Sequence, residues 1–473
     1  MSSEMNIKAV LAMLALVMVS LVTGLGAVGY VSVVEGNLML ISALPLILGM
    51  LLLLIIDKRK LFLLILLLRA SGDIVFETSK FGGGFGIGGL INALVIFIAL
   101  LFIIERPGLL NRRIVSIWGA MLLVAAGAIA YAPDLRDALR MFLALSSYCA
   151  VFTIAFYVVR SRADFELCVS TILWSSLVPV LYAFVDIALH GNTVNSDEGF
   201  RLQSTFSHPN ILAFYLVLNI SLLFYRLKTS WLHISQSRRA AAWLYLLLLL
   251  VLLMLTKTRS AWAACGFIFA VYGMFFERKY LLYLLLAPLL ALLVPSIRDR
   301  LLDLGSGNQY VQYAKLNSFA WRLFLWRSAF DWITPQSMVF GYGLNAFKYY
   351  SPDFFPLAGN THFGAHSTYV QWFFETGIVG VLASAWMHLR LLFTLKQGIS
   401  QHKLCYAIAI MLLCGYLFFA FSDNLLDYLA FNWYFWFFMG SACALTLAPR
   451  AEEAPVTPPR RTPVQGDLNA ARY

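Results

Sequence analysis

Apolar runs of about twenty residues recur from one end of this chain to the other, and they constrain its fold more than any motif does. A helix rises ~1.5 Å per residue, so roughly 20 apolar residues cross ~30 Å of hydrocarbon. The runs are Leu-rich and lack the period-2 alternation of a membrane barrel. They predict about fourteen spans, near 9–33, 38–56, 61–76, 90–104, 114–132, 138–159, 167–189, 210–227, 241–256, 261–276, 280–297, 366–394, 404–421 and 428–448. The third and fourth are short, which suits tilted or partly re-entrant segments, or spans extended into the turn Gly82-Gly83-Gly84-Phe85-Gly86. The expected fold class is an all-α polytopic integral membrane protein of about 12–14 transmembrane helices, forming one domain over residues 1–448. One long extramembrane loop is expected within it at 298–365. The tail at 449–473, with Pro455, Pro458, Pro459 and Pro463, reads as a disordered cytoplasmic end. The first run is long for a signal-peptide core and is read as a retained helix, although small residues at 24–29 leave cleavage open.

Charge tests the span count. Only 12% of the 473 residues are charged, about half the share of a soluble chain, yet the formal balance is +11. With the N-terminus in the cytoplasm, the even-numbered spans deliver six basic segments to that side. These are Asp57-Lys58-Arg59-Lys60, 106–113, Arg160-Ser161-Arg162, 226–239, Glu277-Arg278-Lys279 and 396–403. The positive-inside rule accounts for most of this charge, and a miscount of two spans would preserve it. The chain carries no nucleic-acid motif, so the partner implied is the lipid bilayer. The six cysteines lie within or beside apolar runs with no C-x-x-C, and read as buried structural thiols.

Cations in the opposite loops run against the insertion bias. Arg201 stands before a span in Gly199-Phe200-Arg201-Leu202-Gln203-Ser204-Thr205-Phe206-Ser207-His208-Pro209-Asn210. Arg259 stands in the tight Thr256-Lys257-Thr258-Arg259-Ser260-Ala261-Trp262, and Arg322 and Arg327 in the long loop. Each has two readings, a headgroup contact or local ion pair, or part of an external anion site. For Arg327 the ion pair, with Asp331 at i,i+4, is the better reading. Planar guanidinium suits phosphate. The stretch 319–327 reads as a helix in the membrane interface, followed by a turn at Gly341-Tyr342-Gly343.

His366 opens a span in Ala365-His366-Ser367-Thr368-Tyr369-Val370-Gln371-Trp372-Phe373-Phe374-Glu375-Thr376-Gly377. Read alone it is an interfacial polar residue. Read as chemistry it is a general base, its ordinary pKa near ~6.5 lowered by neighbouring arginines. Glu375 is nine residues on, about half a turn out of phase, and does not orient His366 directly. It nevertheless needs a partner within a span. His208-Pro209-Asn210 reads as a helix entry, His362 has no supporting context, and Arg69 and Asp73 are spaced to pair, as structure or as a cavity lining. The chain has no D-x-D, no phosphate-binding P-loop, no G-x-S-x-G and no H-E-x-x-H. Any phosphate chemistry must therefore rest on cationic side chains, and no metal site or cofactor is expected.

Four of these segments, in order, resemble the O-antigen ligase and polymerase superfamily of bacterial membrane glycosyltransferases. They are the Arg201–Asn210 entry, the Arg259 hairpin, the long loop with Gly-Tyr-Gly, and the His366-to-Gly380 segment, together covering roughly residues 201–380. The family commonly has Asn after the histidine, where this chain has Ser367. The resemblance implies a GT-C-like helical fold in the bacterial inner membrane, with the site facing the periplasm. It implies a donor glycan on undecaprenyl pyrophosphate and an acceptor hydroxyl on lipid A–core or on a lipid-linked glycan, a protein acceptor being a third case. Arg201 and Arg259 would bind the pyrophosphate, Arg322 or Arg327 would add a third contact, and His366 would act on the acceptor hydroxyl with inversion and without metal. The rival from another class is a polysaccharide flippase, which should have short external loops and charges along a central pathway.

Overall fold

The computed structural model describes residues 38–78, 87–110, 112–191, 200–229, 235–291 and 318–447, together with Arg298 and Leu316. The predicted first span, the turn at 82–86 and the tail from 449 lie outside the described residues. All regular structure among the described residues is helical. In chain order the α-helices are α1 (Leu38–Arg69), α2 (Asp73–Thr78), α3 (Ile87–Glu105), α4 (Arg112–Ile129), α5 (Leu135–Val158), α6 (Arg162–Ser175), α7 (Leu177–His190), α8 (Pro209–Thr229) and α9 (Gln236–Leu255). They continue as α10 (Arg259–Phe275), α11 (Lys279–Ala291), α12 (Ser318–Trp332), α13 (Ser337–Phe340), α14 (Ala346–Phe354), α15 (Thr368–Gly398), α16 (Lys403–Ser422) and α17 (Leu429–Leu445). Eight helical segments among the described residues are long and apolar enough to cross a membrane; α10 and α17 are shorter apolar helices. The chain is thus an all-α polytopic membrane protein.

Two predicted spans join in one helix, and a third is divided. The spans at 38–56 and 61–76 join in α1 across a break at Asp57, where φ is −159° and ψ 89°. Asp57 Oδ1 accepts from the Lys60 amide at 3.1 Å, so the basic quartet caps the second half of the helix. The span expected at 167–189 is two helices, α6 and α7, meeting at Ser176. Pro179, with no N–H and a ring that meets the carbonyl four residues back, removes a helical hydrogen bond and favours the break there. Ser176 Oγ bonds the Leu173 carbonyl at 2.6 Å and the Tyr245 hydroxyl at 2.7 Å, covering polar groups that the break exposes.

Helix α8 is buried almost throughout, as is α17, and α17 packs against both α5 and α8 at the centre of the bundle. Gly440 of α17 meets α5 so closely that a Cβ would stand 2.5 Å from the Phe152 carbonyl oxygen, the close approach that small residues permit in membranes. Rings fill the rest, with Trp118 against Trp436 at 4.6 Å and Phe214 against Phe419 at 4.4 Å. Several polar groups in the interior are paired between helices, as Trp433 Nε1–H to Ser147 Oγ at 2.9 Å and Tyr434 O–H to the Leu66 carbonyl at 2.6 Å.

Contacts sort the connections into two ends. The segments predicted cytoplasmic meet one another. Lys58 bonds Glu105, Arg59 reaches Asp164 at 2.7 Å, Arg226 reaches Glu166 at 2.5 Å, and Lys228 bonds Glu277. The segments predicted for the other side likewise meet one another. The Leu202 amide bonds the Leu255 carbonyl at 3.0 Å, Asn210 reaches Asp423 at 2.5 Å, and Asn345 reaches Asp137 at 3.4 Å. We refer to these as the basic end and the site end.

Candidate active site

At the site end, the entry to α8 is stitched down by acids from other helices. Asp186 is buried and accepts from the amides of Gln203 and Ser204, at 3.2 and 2.8 Å. Arg69 and Asp73 pair at 2.8 Å, both buried, and Asp73 also takes the Ser207 amide at 3.3 Å. Thr205 Oγ1 donates to the Ala70 carbonyl at 2.7 Å. The Arg69–Asp73 pair therefore anchors the loop that carries Arg201.

That loop lies over the α9–α10 hairpin. Arg201 Nε–H donates to the Thr256 carbonyl at 3.1 Å, and its Nη2 to Asn210 Oδ1 at 2.8 Å and to Thr258 Oγ1 at 3.3 Å. Arg259 opens α10, and its Nη2 donates to Ser318 Oγ of α12 at 2.8 Å. Between them stands a residue that the sequence reading passed over. Asp423, in the turn joining α16 to α17, is 2% exposed. Its Oδ1 accepts from Asn210 at 2.5 Å and Tyr428 at 3.1 Å, and its Oδ2 from Ser260 at 3.1 Å. Its carbonyl takes the amide and hydroxyl of Thr368, at 3.1 and 3.0 Å. One aspartate thus ties together the starts of α8, α10, α15 and α17. Burial pushes its carboxyl pKa up, against the opposing influence of Arg322 and its hydrogen bonds. A carboxylate in a short turn between two apolar runs was the available sequence signal.

His366 sits two residues before α15 in a left-handed conformation, φ +51°, which costs a non-glycine residue about 1–3 kcal/mol. Its neighbours impose it. The Ala365 carbonyl accepts from Trp326 Nε1–H at 2.6 Å, and Ser367 caps α15 by accepting from the Val370 amide at 3.5 Å. Serine does here the capping work that asparagine also does, so the departure at Ser367 leaves the local fold intact. The imidazole packs edge-on against Trp321 of α12, ring centres 5.8 Å apart. Burial first, then the charges of Arg322 and His208, push its pKa down to about 4. His208 itself accepts the Asn210 amide at Nδ1, 3.1 Å, and lies parallel to the Tyr428 ring.

The structure therefore gathers Arg201, Arg259, Arg322 and His366, with Asn210, Ser260 and Asp423 among them. Arg322 lies within electrostatic reach of both His366 and Asp423. Arg327 stands apart. It is 84% exposed and faces Asp331 at 3.9 Å. Five residues on a helix turn it well away from the face of Arg322. His362 bonds the Lys348 carbonyl at 3.0 Å in the outer part of the loop.

Glu375 holds the loop rather than the histidine. Gly377 breaks α15 at φ +66°, and Gly341 turns at φ +75°. A Cβ on Gly341 would lie 2.2 Å from the Glu375 backbone, and one on Gly377 2.3 Å from Val339, so both positions need glycine. The Tyr342 and Gly343 amides bond the carbonyls of Phe374 and Glu375 at 3.0 and 2.9 Å. The Glu375 carboxyl lies against Gln371 and the amides of Asn345 and Phe347, where α14 begins. The two glycine motifs of the sequence are the two halves of one contact.

A neutral imidazole beside fixed guanidinium groups can take a proton while the cations meet an anion. No curated protein matches the chain. Residues 244–385 match the family model described as O-antigen ligase, a stretch that holds Arg259, Arg322, Arg327 and His366 and stops short of Arg201 and Asp423. That match supports a glycosyltransferase of the ligase or polymerase type acting on lipid-linked glycans. This stretch, just under a third of the length of the chain, is what is similar to the O-antigen ligase family, and it supports the superfamily resemblance carried by the motifs.

Proposed function

We propose that the chain transfers a glycan from undecaprenyl pyrophosphate to an acceptor hydroxyl at the periplasmic face of a bacterial inner membrane. The observation that carries this reading is the convergence of His366 with Arg201, Arg259 and Arg322 at the end of the bundle opposite the basic loops. By the positive-inside rule the basic end is cytoplasmic, which puts the site outside.

The arginines hold the pyrophosphate, each charge-assisted hydrogen bond contributing ~1.5–3 kcal/mol. The acceptor oxygen attacks C1 as its proton passes to the neutral His366. The C1–O bond to phosphate breaks, and its electron pair leaves on the pyrophosphate oxygen, where the guanidinium groups meet the growing charge. Single displacement inverts the anomeric carbon and calls for no metal. The acceptor is lipid A–core in a ligase or a lipid-linked repeat in a polymerase.

Reconstitution in liposomes with a polyprenyl-pyrophosphate glycan and each acceptor in turn tests the reading. Transfer with release of polyprenyl pyrophosphate in EDTA is the expected result. Glycan that crosses the bilayer with no new bond formed would overturn it in favour of a flippase.

A further inference from the structure

The loop that covers His366 is unusually aromatic, and one of its rings has a role that holding the loop together leaves unexplained. Trp321 stands on α12 one residue before Arg322, with its ring against His366. Phe355 and Phe363 clamp it from the loop side, ring centres 5.3 and 5.2 Å away at 90° and 73°. Trp321 nevertheless stays partly exposed, unlike Trp326 and Leu325 on the buried side of the same helix. Beside this wall the chain turns outward at Gly359, where a Cβ would meet open space, and presents Asn360, Thr361 and His362 exposed. His362 Nδ1–H donates to the Lys348 carbonyl, which leaves its Nε2 an acceptor.

A rigid aromatic wall beside a rim of amide, hydroxyl and imidazole groups suits one class of ligand, a sugar ring. The C–H face of a pyranose carries slight positive charge and rests on the negative face of an indole. Its hydroxyls then turn to polar groups at the ring edge. We propose that Trp321, backed by Phe355 and Phe363, is the stacking wall for the acceptor sugar, and that residues 360–362 meet the hydroxyls of that sugar. This rests on the glycan-transfer reading above and sharpens it. The wall adjoins His366, so a ring seated there offers a hydroxyl to the base, and the acceptor is a glycan rather than a protein.

The test compares Trp321→Ala, Trp321→Phe and Asn360→Ala with the parent chain in liposomes, varying donor and acceptor separately. For Trp321→Ala the acceptor KM should rise about tenfold or more while the donor KM holds. Trp321→Phe should recover most of the loss, and Asn360→Ala should raise the acceptor KM alone by a smaller factor. A purely structural Trp321 would instead lower kcat or shift the acid limb of the pH profile, with both KM values unchanged, and that outcome overturns the wall. Equal rises in the two KM values overturn it as well. Absence of any transfer by the parent chain would count against the glycan-transfer reading itself. In that case, protection of Trp321 fluorescence from an aqueous quencher by acceptor oligosaccharide, read as the difference between parent and Trp321→Phe, decides the wall separately. Absence of protection sinks it.

Discussion

Two carboxylates at opposite ends of the bundle show how differently the ends are built. Glu277, at the basic end, bonds Lys228, Lys279 at 2.8 Å and Tyr272 at 2.6 Å. Partial burial works against its ionised form, but these bonds prevail and hold its pKa down to about 2. Asp423, at the site end, is bonded by Asn210, Ser260, Ser422 and Tyr428, all neutral. Burial prevails there and its pKa goes up. The basic end neutralises its charges locally and fixes orientation. The site end spends neutral hydrogen bonds on holding its helices together, and His366 and three arginines surround that junction. Charge pairs dominate the contacts at one end, and at the other neutral hydrogen bonds and the buried Arg69–Asp73 pair hold the helices beneath the proposed site.

The largest break in that comparison should come from His366. His366→Ala is expected to lower kcat for glycan transfer by about 10²–10⁴ while donor affinity holds, measured by release of polyprenyl pyrophosphate. A correctly folded variant with full activity would remove the base from the mechanism.

Arg201→Gln and Arg259→Gln come next. Each should weaken donor binding about tenfold to a hundredfold, from loss of a charge-assisted hydrogen bond. Titration with polyprenyl pyrophosphate alone reads this directly. Arg327→Ala, exposed and away from the cluster, should leave the same titration unchanged.

The pH profile sharpens the electrostatic side. With His366 held at about 4, the acid limb of kcat/KM should lie well below the ordinary histidine range. Arg322→Gln removes a charge that lowers this value and should move the limb upward. The same histidine has a stability consequence. Between pH ~6.5 and 4 the unfolded chain binds a proton that folded His366 refuses, so stability falls as pH falls through that window.

The smallest effect belongs to the basic end. Glu277→Gln should leave transfer untouched and lower stability alone, because it removes the carboxylate from a partly buried ion cluster. The folded pKa is depressed, so the contribution of Glu277 is present above pH 4.5 and lost as pH falls toward 2. Thermal unfolding in detergent at pH 7 and at pH 3 measures both statements. A large loss of transfer in Glu277→Gln would show that the two ends are coupled.

Much was legible without coordinates because hydrocarbon is an unforgiving solvent. Backbone groups within it must bond internally, so long apolar runs determined helices, and basic loops determined which connections share an end. Arg201, Arg259 and His366 stood out because they oppose the insertion bias or open a span after a long loop. Asp423 gave a weaker signal, a single acid in a short turn, and its importance comes from partners more than 160 residues away in sequence. The break at Ser176 was visible in Pro179 once the cost of a proline inside a helix was weighed. The sequence by itself determined the class of molecule, its two ends and most of the candidate residues, because hydropathy and charge act locally along the chain. Only the tertiary structure decided that Arg322 joins the cluster while Arg327 faces outward, that Glu375 grips the Gly341 turn, and that Asp423 binds four helix starts together. Those are matters of helix phase and of packing between distant segments, which no local pattern contains.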